Sequence, residues 1–183
     1  DADALNVFAG KIENLRGSAH PLVLTPHPGE AGRLLSCSSG EVQQDRHKAV
    51  ETLAAAAEAV ALLKGAGTLI AAPERTTAMN LTGNPGMATG GMGDALGGLL
   101  AGLLAQGVEP FGAACLAAYL HGVAGDVSAW SGSQAYREAT VDTATPCSLS
   151  DILRNADGFA SPWTPDHAVR GHLDPEVEEL CGN

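Results

Sequence analysis

Lysine is nearly missing from this chain: Lys11, Lys48 and Lys64 are the only three among ten basic residues, set against 21 acidic ones, for a formal net charge of −11. A surface of that sign repels phosphate backbones, which argues against nucleic acid as a partner. It fits a high-salt cytoplasm and, equally, an ordinary acidic soluble protein. Aromatics are only 4% of the 183 residues although 45% are hydrophobic, so a core must be built chiefly from Ala, Leu and Val. Side chains that small suit close packing of helices on a sheet. The cysteines, Cys37, Cys115, Cys147 and Cys181, form no CxxC. The usual zinc and redox-pair signatures are therefore absent, and reduced thiols of a cytosolic protein are expected. The opening residues do not read as a signal peptide, and Gly, His or charge interrupts each apolar stretch before the roughly 18 residues of a membrane span. The length suits one hydrophobic core, in a cytoplasmic α/β protein without membrane contact.

Along the chain, Leu22 to Thr25 reads as a buried strand ended by PHPGE, with helical spacing resuming from Ala31 to Leu35. Asp45 can cap an Ala-rich helix that runs to about Ala57. The segment VALLKGAGTLIAAP then predicts strands near Val60 to Lys64 and Thr68 to Ala71 around a glycine turn. A helix from about Asp94 to Gln106, stopped by Gly107, is followed by one opened by Pro110 and running from Phe111 to about Ala129, and the two form an expected helical hairpin. Residues 1–130 are thus expected to form the C-terminal portion of an α/β domain. Residues 131–183 read as a weakly patterned tail with short helices, one of them opened by a capping box at Ser148-Leu-Ser-Asp151.

The densest signal is Asn84 to Gly98, NPGMATGGMGDALGG, with six glycines and a single charge, Asp94. Backbone N–H groups converge on an anion only where side chains do not crowd them, and a helix starting just afterwards adds the positive end of its dipole. A carboxylate beside such a cradle can accept a proton from an attacking hydroxyl while the amides stabilise charge on a transferring phosphoryl group. Asp94 read alone is equally a first-turn dipole partner. The segment is neither GxxxxGK[ST] nor GxGxxG, so the common nucleotide motifs do not explain it.

Four segments in this order, TPHPGE (25–30), KGAGT (64–68), NPGMATGGMGDALGG (84–98) and YLHGVAGD (119–126), together with DADALN at positions 1–6, resemble the ADP- or ATP-dependent NAD(P)H-hydrate dehydratase family of the ribokinase-like superfamily. The resemblance covers roughly Asp1 to Asp126. It implies a ribokinase-like, Rossmann-like α/β sheet flanked by helices, and a lyase that repairs damaged nicotinamide cofactors. In that reaction the 6-hydroxyl of NAD(P)H hydrate is phosphorylated by ADP (preferred) or ATP with Mg²⁺, and phosphate is then lost. The implied surroundings are an NAD(P)H-hydrate epimerase as functional partner and a homo-oligomer. The chain begins with Asp, and DADALN reads like the end of a strand entering a loop and helix, so the N-terminal strands of such a domain are expected to be missing.

By the same resemblance Asp94 is the base and touches substrate; Lys64, Gly65, Ala66, Gly67 and Thr68, with the Gly93 backbone, bind the nucleotide; His27 contacts the hydrate; and Glu30 organises the Mg²⁺–phosphate shell indirectly. Each has a plainer reading: KGAGT a hairpin turn with an exposed Lys, His27 a surface or capping residue, Glu30 a solvated loop carboxylate. His121 is expected to be a packed, hydrogen-bonded histidine outside the site, and Asn80 and Asn84 to hold turns around the glycine loop. Asp1 and Asp3 match a family segment without an assigned role. Two other functions compete: a superfamily kinase of a small vitamin precursor, against which HPGE and the retained NPGMAT argue, and a non-catalytic nucleotide-binding remnant.

Overall fold

The computed structural model describes residues 1–130. Its centre is a four-stranded sheet ordered β1 (Val23–Leu24), β2 (Val60–Leu63), β3 (Thr68–Ala71) and β4 (Ala78–Asn80). β1 and β2 are parallel, while the β2–β3 and β3–β4 pairs are antiparallel. Successive side chains of a strand point to opposite faces, so the sheet sorts its apolar residues into two layers. Ala61, Leu63, Leu69 and Ala71 join one core; Val60, Leu62 and Ile70 join the other.

The first core is covered by α1 (Ala2–Val7), α2 (Pro28–Leu35), α3 (Ser39–Gln44) and α4 (Arg46–Ala57). α4 buries Ala49, Val50, Leu53, Ala54 and Ala57, the three-to-four spacing of one helix face. Its N-terminus is where the sequence places it: Asp45 Oδ1 accepts from the Lys48 N–H at 3.0 Å. The second core lies under α5 (Met92–Ala105) and α6 (Pro110–Trp130), which pack as the expected hairpin. Ala113, Ala114 and Ala117 are fully buried there, so the scarcity of aromatics becomes close approach of α6 to the sheet.

Boundaries shift for local reasons. α2 begins at Pro28 rather than Ala31, because His27 and Glu30 form a capping box around a proline in the first turn. α5 starts at Met92, two residues ahead of Asp94, with Gly91 as N-cap at φ +87°. α3 and β4 have no counterpart in the sequence reading. α3 buries only Val42 and β4 is three residues long, so neither carries a readable apolar period. The Ser148 capping box and the rest of the 131–183 tail fall outside the described residues. Cys37 and Cys115 are free thiols, and burial pushes Cys115 above the ordinary thiol range. No helix among the described residues is long and apolar enough to cross a membrane.

Candidate active site

Because β1 and β2 run parallel, the loops that follow them leave the same end of the sheet. TPHPGE follows β1 and KGAGT follows β2, and a Lys64 N–H to Pro26 O bond of 2.9 Å continues the pairing beyond the strands. Carboxyl ends of parallel strands are where α/β sheets present binding crevices. The start of α5 reaches the same place, since a Cβ built on Gly93 would lie 3.3 Å from Lys64 Nζ. The structure thus gathers Glu30, Lys64 and Gly93 from three separated motifs.

Lys64 is the centre of this group. Its Nζ donates to Asp1 Oδ1 at 2.7 Å and lies 3.8 Å from Glu30 Oε2. Its side chain is 21% exposed, which sets aside the hairpin-with-exposed-Lys reading, although the turn itself is a β2–β3 hairpin. Burial lowers the ammonium below the ordinary lysine range, with the Glu30 and Asp94 charges opposing that shift. Glu30 is 5% exposed, and its Oε2 accepts from the His27 N–H at 2.7 Å. It is a buried, partnered carboxylate and not a solvated loop residue.

His27 Nδ1 accepts from the Gly29 and Glu30 N–H groups at 3.0 and 3.3 Å. An accepting Nδ1 leaves the ring proton on Nε2, which sits 3.6 Å from Glu30 Oε1 on a half-exposed side chain. Capping accounts for one nitrogen of His27, and the side chain as a whole is half exposed. Asp94 stands exposed in the first turn of α5 and makes no hydrogen bond among the described residues. The α5 N-terminus has no side-chain cap, so its first amides keep their capacity for an anion.

The KGAGT turn is itself braced. Thr68 Oγ1 donates to Gly65 O at 3.0 Å, and Arg46 Nη2, from α4, donates to Leu63 O and Gly67 O at 3.3 and 3.2 Å. On the other side of the sheet, residues 80–87 are sewn onto α6. Asn80 Nδ2 donates to Ala118 O at 3.1 Å, Thr82 Oγ1 to Tyr119 O at 3.1 Å, and Asp126 accepts from the Gly83 N–H at 2.8 Å. Asn84 Oδ1 also accepts from the Gly86 N–H at 3.0 Å, the turn-holding role expected of it. YLHGVAGD therefore serves as the docking strip for the segment leading into the glycine loop. His121 is packed as expected, but its buried Nε2 has no partner among the described residues, and burial lowers its pKa.

Two residues of this region carry no assignment from sequence. Asp1 was legible only as part of DADALN, with no signal that it would face Lys64. Arg46 had no signal at all, being one basic residue on an ordinary helix. Asp3, in the first turn of α1, is exposed.

Comparison with known proteins identifies the family. A profile described as NAD(P)H-hydrate dehydratase matches residues 1–155. The chain belongs to the NAD(P)H-hydrate dehydratase family. It is 54% identical over 129 residues to the bifunctional NAD(P)H-hydrate repair enzyme Nnr of Moorella thermoacetica, covering 70% of this chain and 24% of that protein. It is 50% identical over 129 residues to the ADP-dependent (S)-NAD(P)H-hydrate dehydratase of Neisseria meningitidis, covering 69% and 44%. The crystal structure of the ADP/ATP-dependent NAD(P)H-hydrate dehydratase from Bacillus subtilis, co-crystallized with ATP/Mg²⁺, superposes with a TM-score of 0.61 at 36% identity, covering 73% of this chain and 46% of that one. A ribokinase-like superfamily protein from Enterococcus faecalis superposes at 0.60 and 29% identity, with 83% and 50% covered. The fold is ribokinase-like, and the chain spans less than half the length of these dehydratase relatives.

Proposed function

We propose that this chain carries the nucleotide-dependent dehydration of NAD(P)H hydrate to NAD(P)H, with ADP as the preferred donor. The observation that carries the reading is the convergence of Glu30, Lys64 and Gly93 at the carboxyl ends of β1 and β2, beside an exposed Asp94 on an uncapped helix start. The donor preference follows the Neisseria relative, which is named ADP-dependent.

In this reading Lys64 and the amides of Gly65 to Thr68 and of Gly93 bind the nucleotide phosphates. Asp94 accepts the proton of the 6-hydroxyl as its oxygen attacks the terminal phosphorus. That O–P bond forms while the bond from phosphorus to the nucleotide breaks. The C–O bond then breaks with phosphate as leaving group, pushed by the ring nitrogen lone pair, and loss of a proton from the adjacent ring carbon restores the double bond. His27 presents Nε2–H to the hydrate, and Glu30 keeps both His27 and Lys64 in place.

Among the described residues no group of three or more His, Cys, Asp or Glu could hold a metal ion. Glu30 is occupied by the His27 N–H and lies beside the Lys64 ammonium. These residues do not build a resident metal site, and Mg²⁺ belongs to the reading as the counter-ion of the nucleotide, which is how it commonly enters phosphoryl-transfer sites. The bifunctional names of relatives support an NAD(P)H-hydrate epimerase as functional partner.

The test is to incubate the complete protein with NADH hydrate, Mg²⁺ and ADP or ATP. NADH absorbance should return, with phosphate and the shortened nucleotide as co-products. Accumulation of a stable phosphorylated substrate would replace the reading with a kinase. Absence of any nucleotide turnover would remove it.

A further inference from the structure

Arg46 lies 18 positions before Lys64 and outside every motif that the family resemblance rests on. Its guanidinium nonetheless reaches the KGAGT turn. Nη2 donates to Leu63 O, just before the turn, at 3.3 Å and to Gly67 O, within it, at 3.2 Å, while Nη1 donates to Gln43 Oε1 at 3.1 Å. Gly65 completes the fit: its φ is +143°, and a Cβ there would stand 2.5 Å from Nη1. The backbone at Gly65 is therefore in contact with the guanidinium, in a conformation that a side chain would strain.

We infer that Arg46 is a positioning residue for nucleotide binding: its fork clamps both ends of the 64–67 turn and so fixes where the Lys64 ammonium and the turn amides stand. This rests on the reading of KGAGT as the nucleotide segment. Three features support it. First, two carbonyls on one nitrogen, with a third acceptor on the other, use the rigid fork that distinguishes Arg from Lys. Second, the bonds go to backbone of the turn and not to a carboxylate, so the guanidinium shapes the loop without neutralising a charge. Third, the Leu63 carbonyl immediately precedes Lys64, so a shift there is passed directly to the side chain held 2.7 Å from Asp1. Arg46 needs no contact with substrate for this role, and burial lowers its pKa without removing its charge at any working pH.

The experiment titrates Mg-ADP and Mg-ATP into the complete protein and its Arg46→Met, Arg46→Lys and Lys64→Ala variants, with thermal midpoints measured alongside. Arg46→Met should weaken nucleotide binding by about tenfold, the worth of a hydrogen-bonded charged group at a site it shapes. It should raise the nucleotide KM while leaving kcat nearly unchanged. Arg46→Lys keeps charge and stem but can reach only one carbonyl well, so it should recover part of the loss at a native midpoint. Should Arg46→Met fail to fold, the Lys variant decides. Wild-type affinity in a folded Arg46→Lys or Arg46→Met protein, with Lys64→Ala impaired, overturns the positioning role and leaves the nucleotide site standing. Unchanged affinity in Lys64→Ala as well overturns the nucleotide reading and the inference with it.

Discussion

Asp126 Oδ1 accepts a hydrogen bond from Asn84 Nδ2 at 3.1 Å, joining α6 to the segment that runs into the glycine loop. The second oxygen takes the Gly83 N–H at 2.8 Å, so one carboxylate holds two consecutive residues of that segment. Asp126→Ala leaves both donors without their acceptor. It should destabilise the protein by about 1–3 kcal/mol, the loss of two hydrogen bonds to a charged acceptor. Urea unfolding measures this, and an unchanged midpoint would mean that α6 does not hold the loop. Turnover should fall in parallel, because the same segment delivers Gly93 and Asp94.

The same substitution should have opposite signs at two glycines. A Cβ on Gly122 would collide with Thr82, including its carbonyl carbon at 2.7 Å, whereas one on Gly102 meets nothing within 4 Å. Gly122→Ala should cost about 1–3 kcal/mol through forced displacement of the 80–83 segment. Gly102→Ala, in the interior of α5, should stabilise by about 0.5–1 kcal/mol through the lower backbone entropy of the unfolded chain. Thermal midpoints moving in the same direction for both variants would contradict the packing of α6 against that segment.

Asp94→Asn separates binding from chemistry. On the proposed mechanism it removes the base while keeping size and an acceptor, so nucleotide affinity should persist while NADH recovery falls by about two to four orders of magnitude. A mere helix-dipole role would cost at most about 1 kcal/mol of stability and leave turnover intact. Near-normal recovery by the Asn variant, assayed in the complete active protein, would return Asp94 to that plainer role.

Lys64 carries a pH signature. Burial lowers its ammonium below the ordinary value of 10.5, opposed by Glu30 and Asp94. Phosphate binding needs the charged form, so nucleotide affinity should decline as pH rises through that depressed value, before an ordinary lysine would titrate. Between the depressed value and 10.5 the unfolded chain holds a proton that the folded chain has released, so this group's contribution to stability rises with pH across the window. Lys64→Arg should abolish the alkaline loss of affinity, because guanidinium stays charged. An identical pH profile in the Arg variant would show that another group is responsible.

Some of this molecule is written in short stretches of sequence. The α4 span follows from Asp45 and an Ala-rich apolar face, the paired strands 60–63 and 68–71 from apolar runs about a glycine turn, and the α5–α6 hairpin from Gly107 and Pro110. Caps, turns and periods act over a few residues, so they can be read locally. The four spaced motifs likewise bring Lys64, Glu30 and Gly93 to notice as residue types. Other features depend on strand order. The Lys64–Asp1 pair joins residues 63 positions apart, and Arg46 reaches the turn only because α4 packs where β2 and β3 meet it. β4 is three residues with no apolar alternation, held by its ladder to β3. Hydrogen bonds and ion pairs between distant segments have no local period to announce them; they exist once the sheet has set which chain ends lie side by side.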